Sequence, residues 1–436
     1  MKRQRTDDRR RMMIATPRNL PDGWMWKLIG EFADVRAGSG FPDRYQGRDS
    51  GAYPFYKVSD MNIGGNELIM DTANNWINED VVRELRAKPF PIGTVIFPKV
   101  GAAVYTNKKR LLSKSALVDN NVMGVFIRDS DFCVPEFLLF WFQSIDLRDW
   151  ANPGPLPSIN SGVIKETSIP LPPLPEQRAI AHALRTAQQA RAARQRELTL
   201  ERERKAALMG HLFTHGTRNE PRKQTEIGDM PESWRVVKFA DVVDVARGQV
   251  IPIDEPYKSM MHIGSENIEP NTGRLLPTKT NGELKVISGN YVFEPGDILY
   301  SKIRPYLNKV VMPLFAGTCS ADIYPLRANK DYLVQTFLFQ YLLSETFKTR
   351  AISFQDRTGI PKINRDQLWS IALPAPSLDE QRDIATALCA CDAKIAALER
   401  ETQVLDELFR AMLDELMTGR MSAVPLVQGP RFDVLS

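Results

Sequence analysis

Cysteine is scarce: Cys133, Cys319, Cys389 and Cys391 are the only four in 436 residues. They are too few and too scattered for a disulfide framework, so reduced thiols are expected. Cys389 and Cys391 form C-x-C with no second ligand pair nearby. His211 and His215 sit four apart at a helix end but lack the glutamate of H-E-x-x-H, so no metal site is expected. Long apolar runs are missing too. The longest, around Phe137 to Phe142 and Phe337 to Leu343, are far too short to span a bilayer. Residues 1–18 are basic without a following apolar region, which makes them an extension and not a secretory signal; a cytoplasmic chain is expected. Catalytic signatures are absent as well. There is no G-x-x-x-x-G-K-[ST] for ATP hydrolysis by that route. There is no N-P-P-Y-like methyltransferase motif, the nearest approach, Asn152-Pro153-Gly154, lacking the aromatic. Glu283-x-Lys285 has no partner acid for a metal nuclease. No residue is assigned a catalytic role.

What the chain does contain is written twice. At 436 residues it exceeds one ordinary core, and four landmarks recur in order. The opening motif around Trp24 returns around Trp234. A strand-like run follows a glycine in each copy, G-T-V-I-F-P-K-V from Gly93 and G-D-I-L-Y-S-K-I from Gly296, which aligns Lys99 with Lys302. Its apolar alternation predicts half-buried β structure. An apolar segment of helical spacing comes next, Pro135 to Asp149 and Leu333 to Arg350, then a P-x-I-N element at Pro157 and Pro361. Last come I-P-L-P-P-L-P-E-Q-R (169–178) and L-P-A-P-S-L-D-E-Q-R (373–382), whose prolines hold off a long helix until they end. The domains expected are a basic extension (1–18), a first globular domain (19–175), a first helix (176–215), a linker (216–225), a second globular domain (226–379), a second helix (380–420) and a tail (421–436). The fold class is α+β with a pseudo-twofold internal repeat.

The second helix carries Ile384, Leu388, Cys391, Ile395, Leu398, Thr402, Leu405, Phe409, Met412 and Leu416 at spacings of four and three, a coiled-coil seam. At 1.5 Å per residue the seam runs roughly 50 Å, too long for one small domain to cover. The first helix offers Ile180, Leu184, Ala187, Leu198, Leu208 and Leu212, interrupted by Arg191, Arg194, Glu201 and Lys205, where looser packing is expected. From 176 to 218 it carries nine Lys/Arg against four Glu; from 380 to 420 the second carries five against nine acids. Opposite charge favours pairing the two with each other, antiparallel, with one globular domain at each end. Such a chain suits a rod with two sites at a fixed distance, and duplex DNA is such a rod.

Contact with DNA needs clustered cations beside groups able to read base edges. Between Glu84 and Asp119 the chain has no acid but holds Lys99, Tyr105, Asn107, Lys108, Lys109, Arg110 and Lys114. The equivalent window between Asp297 and Asp322 holds Lys302, Arg304, Tyr306, Asn308 and Lys309. Arg36 and Ser39, and Arg247 and Gln249, follow the opening motifs in small-residue loops, where backbone can approach phosphate. Lys362 of the second P-x-I-N element completes the set.

As an ordered set, from about Leu20 to Arg420, these landmarks resemble the specificity subunits of type I restriction-modification systems. The motifs that carry the resemblance jointly are the W-x(n)-D-V openings at Trp24 and Trp234, the run at Ile298, T-G-I-P-K-I-N at Thr358 and the two E-Q-R junctions. The resemblance implies two target-recognition domains, each reading one half of a split, asymmetric DNA sequence, with the long helices as spacers. It implies two modification subunits that methylate adenine with S-adenosylmethionine, and two restriction subunits that use ATP and Mg; this chain needs no cofactor of its own. The competing reading is a coiled-coil structural adaptor with two protein-binding domains.

Overall fold

The computed structural model describes residues 20–152, 154–246, 248–354, 361–423 and 425. The basic extension, Arg247, Thr358 and most of the tail lie outside the described residues. Two compact units emerge, residues 1–193 with 402–436 and residues 194–401. The division cuts both long helices, because in each unit a half of one helix packs beside a half of the other.

In the first unit a five-stranded sheet has the spatial order Ala33–Ala37, Val122–Ile127, Val95–Pro98, Arg110–Leu112, Ile69–Met70. The strand after Gly93 lies at its centre, with Val95 opposite Val125 and Pro98 opposite Val122. It is buried along its whole length, where alternation predicted one wet face. Two cores explain this: Val95 and Phe97 point into the cluster around the apolar helix Pro135–Ser144, while Ile96 points into a second cluster with Tyr56 and Leu112. The second unit repeats the plan in four strands, Val243–Val245, Ile323–Ala328, Ile298–Ser301, Val310–Val311. There Ile298 and Tyr300 face the main core and Leu299 faces the cluster with Phe293 and Ile323. Gly93 and Gly296 precede these strands at φ +79° and +87°, a turn that other L-residues adopt only with strain. The expected linker is partly ordered as a hairpin, Arg222–Thr225 pairing with Gly228–Pro231.

A ribbon closes each domain onto its helix: Met25–Leu28 pairs with Ser168–Leu171, and Arg235–Lys238 with Ala372–Ala375. The two E-Q-R junctions lock it. Trp24 Nε1 donates to Glu176 and Trp234 Nε1 to Glu380, both at 3.1 Å. The next residue does the same work in both units. Gln177 accepts from the Val134 amide and donates to Phe132 O and Pro172 O; Gln381 accepts from Val334 and donates to Tyr332 O and Pro376 O. Buried polar groups are costly unless paired, and all four of these side chains are buried with their partners in place. The other oxygen of each glutamate takes an amide from beyond the end of the other long helix, Ala423 for Glu176 and Thr217 for Glu380.

The helices run Leu174–His215 and Leu378–Met417, each starting two residues before its glutamate; Pro175 fits the first turn, where no amide partner is lost. The first ends at Gly216 (φ +67°), where a Cβ would lie 2.5 Å from Glu380 Oε1. Along the seam Ile180, Leu184, Leu198, Leu212, Ile384, Leu388, Leu398, Phe409 and Leu416 are buried, and Leu208, Ile395, Leu405 and Met412 are half-buried. Between Leu184 and Leu198 no first-helix residue is buried, the stretch where looser packing is expected, and charged groups of the other helix meet the interruptions. In the second unit Arg194 pairs with Glu401 at 3.0 Å, Arg202 with Glu399 at 2.7 Å and Lys205 with Asp392 at 2.6 Å, an antiparallel order. Glu201 is 5% exposed and is paired with Arg204 and Lys394. In the first unit Arg191 pairs with Asp406 and lies over the Phe409 ring. Exposed pairs each contribute only about 0.2–1 kcal/mol, so register and partner choice are their larger effect.

Candidate nucleic-acid interface

In both units the central strand ends in a lysine on a shared framework. The Lys99 amide donates to Asn121 O at 2.8 Å and the Lys302 amide to Asp322 O at 2.9 Å. The P-x-I-N element crosses here: Ile159 donates to Lys99 O at 2.8 Å, and Ile363 to Lys302 O at 2.9 Å. Two residues past each lysine the pattern closes, Gly101 donating to Pro157 O at 2.8 Å and Arg304 to Pro361 O at 2.7 Å. Asn160 and Asn364 then cap short helices. Beyond the crossing each chain makes a 3-10 turn, Gly101–Thr106 and Pro305–Leu307, ending in a left-handed asparagine, Asn107 or Asn308. An exposed tyrosine stands near the tip of each, Tyr105 (56%) and Tyr306 (45%).

On this framework the two units place different side chains. Gly101 has φ +71° and its equivalent Arg304 has φ +50°. A left-handed conformation costs an L-residue about 1–2 kcal/mol, and such outliers cluster where a side chain has a task. The Arg304 side chain is exposed and has no hydrogen bond or ion pair among the described residues. Lys362 is likewise exposed and unpaired, where the first unit has Ser158. Lys302 is engaged: its ammonium donates to Ala321 O at 2.8 Å, pairs with Asp322 at 3.5 Å and lies over Tyr324. Lys99 has no such partners among the described residues and lines a cavity of about 310 Å³.

Several of the expected contact residues have partners within their own domain. Lys109 is 2% exposed and donates to Asn107 Oδ1 and Ile145 O, both at 2.6 Å; burial lowers its pKa to about 8 against the opposing pull of Asp146. Arg110 donates to Lys109 O and Met61 O, and burial lowers its pKa. Arg36 donates to Pro89 O at 2.6 Å and lies over Phe90 and Phe126, its pKa also lowered by burial. Asn107 holds the turn through the Lys109 ammonium and the Leu147 amide; Asn308 is 1% exposed, with neither polar side-chain atom partnered among the described residues. Lys108 bonds Asn62, Lys309 donates to Ser265 O, and Lys114 pairs with Asp71 at 3.3 Å. Ser39 is half-buried beside Asp119, and Gln249 is exposed next to Gly289. Asn152, Asn160, Ser161 and Arg365 join the site beyond the residues expected from sequence, and aligning the copies past Lys99 sets Asn121 against Asp322 and Met123 against Tyr324.

His211 and His215 stack with ring centroids 4.5 Å apart, and among the described residues no group of three or more His, Cys, Asp or Glu is placed to hold a metal ion. Glu283 closes a capping box with Thr280, which accounts for the Glu283-x-Lys285 triplet. No helix among the described residues is long and apolar enough to cross a membrane.

A family model described as type I restriction modification DNA specificity domain matches residues 21–202 and again 231–407. The chain is 27% identical to the type I restriction enzyme EcoDI specificity subunit of Escherichia coli, over 94% of its own length and 91% of that protein. It is 26% identical to the MjaVIII specificity subunit of Methanocaldococcus jannaschii over 61% of this chain and 65% of that one. The crystal structure of a type I restriction-modification S subunit from M. genitalium shares the fold with a TM-score of 0.59 at 16% identity, covering 92% of this chain and 97% of that chain. A chain solved in work on assembly and conformational transition of the type I R-M system aligns with a TM-score of 0.52 at 19% identity, over 93% of this chain and all of that one.

Proposed function

The chain belongs to the type I restriction-modification DNA specificity family, and from that membership we propose how it addresses DNA: each unit reads one half of a bipartite, asymmetric target. It is the specificity subunit, a non-catalytic component that recognises the target with methyltransferase and restriction partners. The observation that carries the proposal is one framework built twice, with an exposed tyrosine on each but with Arg304 and Lys362 exposed in the second unit where the first has Gly101 and Ser158. Cations position a protein on phosphates, and tyrosine and arginine can also contact bases, so different sets on equal scaffolds favour two different half-sites. Exposed apolar side chains on the helices, Leu200 in one unit and Val404 and Leu408 in the other, supply docking points for two modification subunits. Two restriction subunits would complete the assembly. S-adenosylmethionine for adenine methylation, and ATP with Mg for restriction, would be held by those partners.

The test is binding by the chain purified with its modification subunit. A duplex carrying its target should bind at least about a thousandfold tighter than random duplex at physiological salt. Equal affinity for all duplexes across a salt series would overturn the proposal and favour the adaptor reading.

A further inference from the structure

Lys99 and Lys302 occupy the same register position with the same crossing Ile-Asn pair, yet three neighbouring side chains differ. In the second unit Asp322 neutralises the lysine, and Tyr324 lies between it and Arg365. The first unit has Asn121, Met123 and Ser161 at those places. The acid, the ring and the second cation are all gone, and what stands there is a cavity of about 310 Å³ lined by Lys99, Met123, Ser158, Ile159, Asn160 and Ser161, among others. No carboxylate lines it among the described residues. The Lys99 ammonium meets no hydrogen-bond or ion-pair partner among the described residues. Asn160 Oδ1 is taken by the Gly162 amide, which leaves its amide nitrogen free to donate.

We infer that this cavity is an anion site of the first unit, and that the anion is a DNA backbone phosphate. The inference rests on the DNA-reading proposal above. A half-enclosed ammonium with hydroxyl and amide donors beside it suits a phosphate oxygen, since charge-assisted hydrogen bonds are the strong ones. A nucleobase fits less well, because the lining offers no aromatic face on which to stack. In the second unit the lysine at this position is engaged by Ala321 O, Asp322 and Tyr324, and Arg304 and Lys362, without partners among the described residues, lie on the surface. The two units therefore grip the duplex differently: the first receives a phosphate into a pocket, and the second lays cations against the outside.

The experiment measures binding to the target duplex as a function of salt, using the full chain with its modification subunit. Lys99→Met should weaken binding about tenfold, the scale of losing a hydrogen bond to a charged group. The slope of log K against log salt should become shallower by about one. The loss should be the same for the target and for duplexes with one base changed. Met123→Tyr, which puts into the cavity the ring that the second unit carries, should give a similar loss with the lysine still present, and it keeps the inference testable if Lys99→Met unfolds. A single neutral methylphosphonate at the contacted position should weaken the wild type but add nothing to Lys99→Met. Wild-type selectivity with unchanged slope and affinity in both variants would overturn the inference. So would a loss confined to one base change, which would mark a base-reading pocket. Failure of the wild type to select any DNA would instead sink the reading on which the inference rests.

Discussion

In the second unit Lys302 is consumed by its own domain, held by Ala321 O and Asp322 under the Tyr324 ring. In the first unit Lys99, on the same strand end with the same backbone bonds, faces a cavity. The difference teaches which parts of the repeated pattern are fixed and which vary. Bonds that build the framework recur nearly to the tenth of an ångström: the strand-end amides, the crossing P-x-I-N element and the Trp–Glu locks. Several side chains that the framework displays change in charge and size, Gly101 against Arg304 and Ser158 against Lys362 among them. A molecule that keeps its scaffold and varies its display is suited to reading two different sequences with one architecture.

The largest expected effect tests the equality of the scaffolds. Glu380→Ala removes the acceptor for Trp234 Nε1 and the Thr217 amide, and Glu176→Ala does so for Trp24 Nε1 and the Ala423 amide. An unsatisfied buried donor costs about 1–3 kcal/mol, so each variant should lose at least about 2 kcal/mol in denaturant melts. The two losses should be similar. A large loss from one and none from the other would break the comparison at its base.

A smaller effect tests the difference in display. Arg304→Gly puts into the second unit the residue that the first has at Gly101, where both backbones are left-handed. Relief of that strain should raise stability by up to about 1 kcal/mol. Binding should weaken when the half-site of the second unit is present and be unaffected by base changes in the other half. A drop in stability would show that arginine is held there at no cost, and that its conformation carries no functional signal.

The sequence disclosed the repeat, the seam and the opposite helix charges because these are periodic or cumulative properties of neighbouring residues. It did not disclose the locks. Trp24 and Glu176 are 152 residues apart, Trp234 and Glu380 146, and nothing local announces such a pair. The acid-free windows conceal internal partners for a related reason. Lys109 and Arg110 lack nearby acids in the chain, but their partners are the backbone carbonyls of Ile145 and Met61 together with the Asn107 amide oxygen. Counting charges cannot see a carbonyl acceptor, so the internal partners of these two cations are not legible in the chain. The Lys99 cavity was hidden because it arises from what is missing around the lysine, visible only once the second unit shows what can fill it.

The central claim, two different readers on one scaffold, is tested most directly by mapping adenine methylation in DNA exposed to the assembled enzyme. The map is made once with the native chain and once with residues 226–379 exchanged for another recognition domain. The account predicts a split site with unlike halves, and an exchange that rewrites one half while leaving the other half untouched. A continuous or palindromic site, or an exchange that alters both halves, would contradict it.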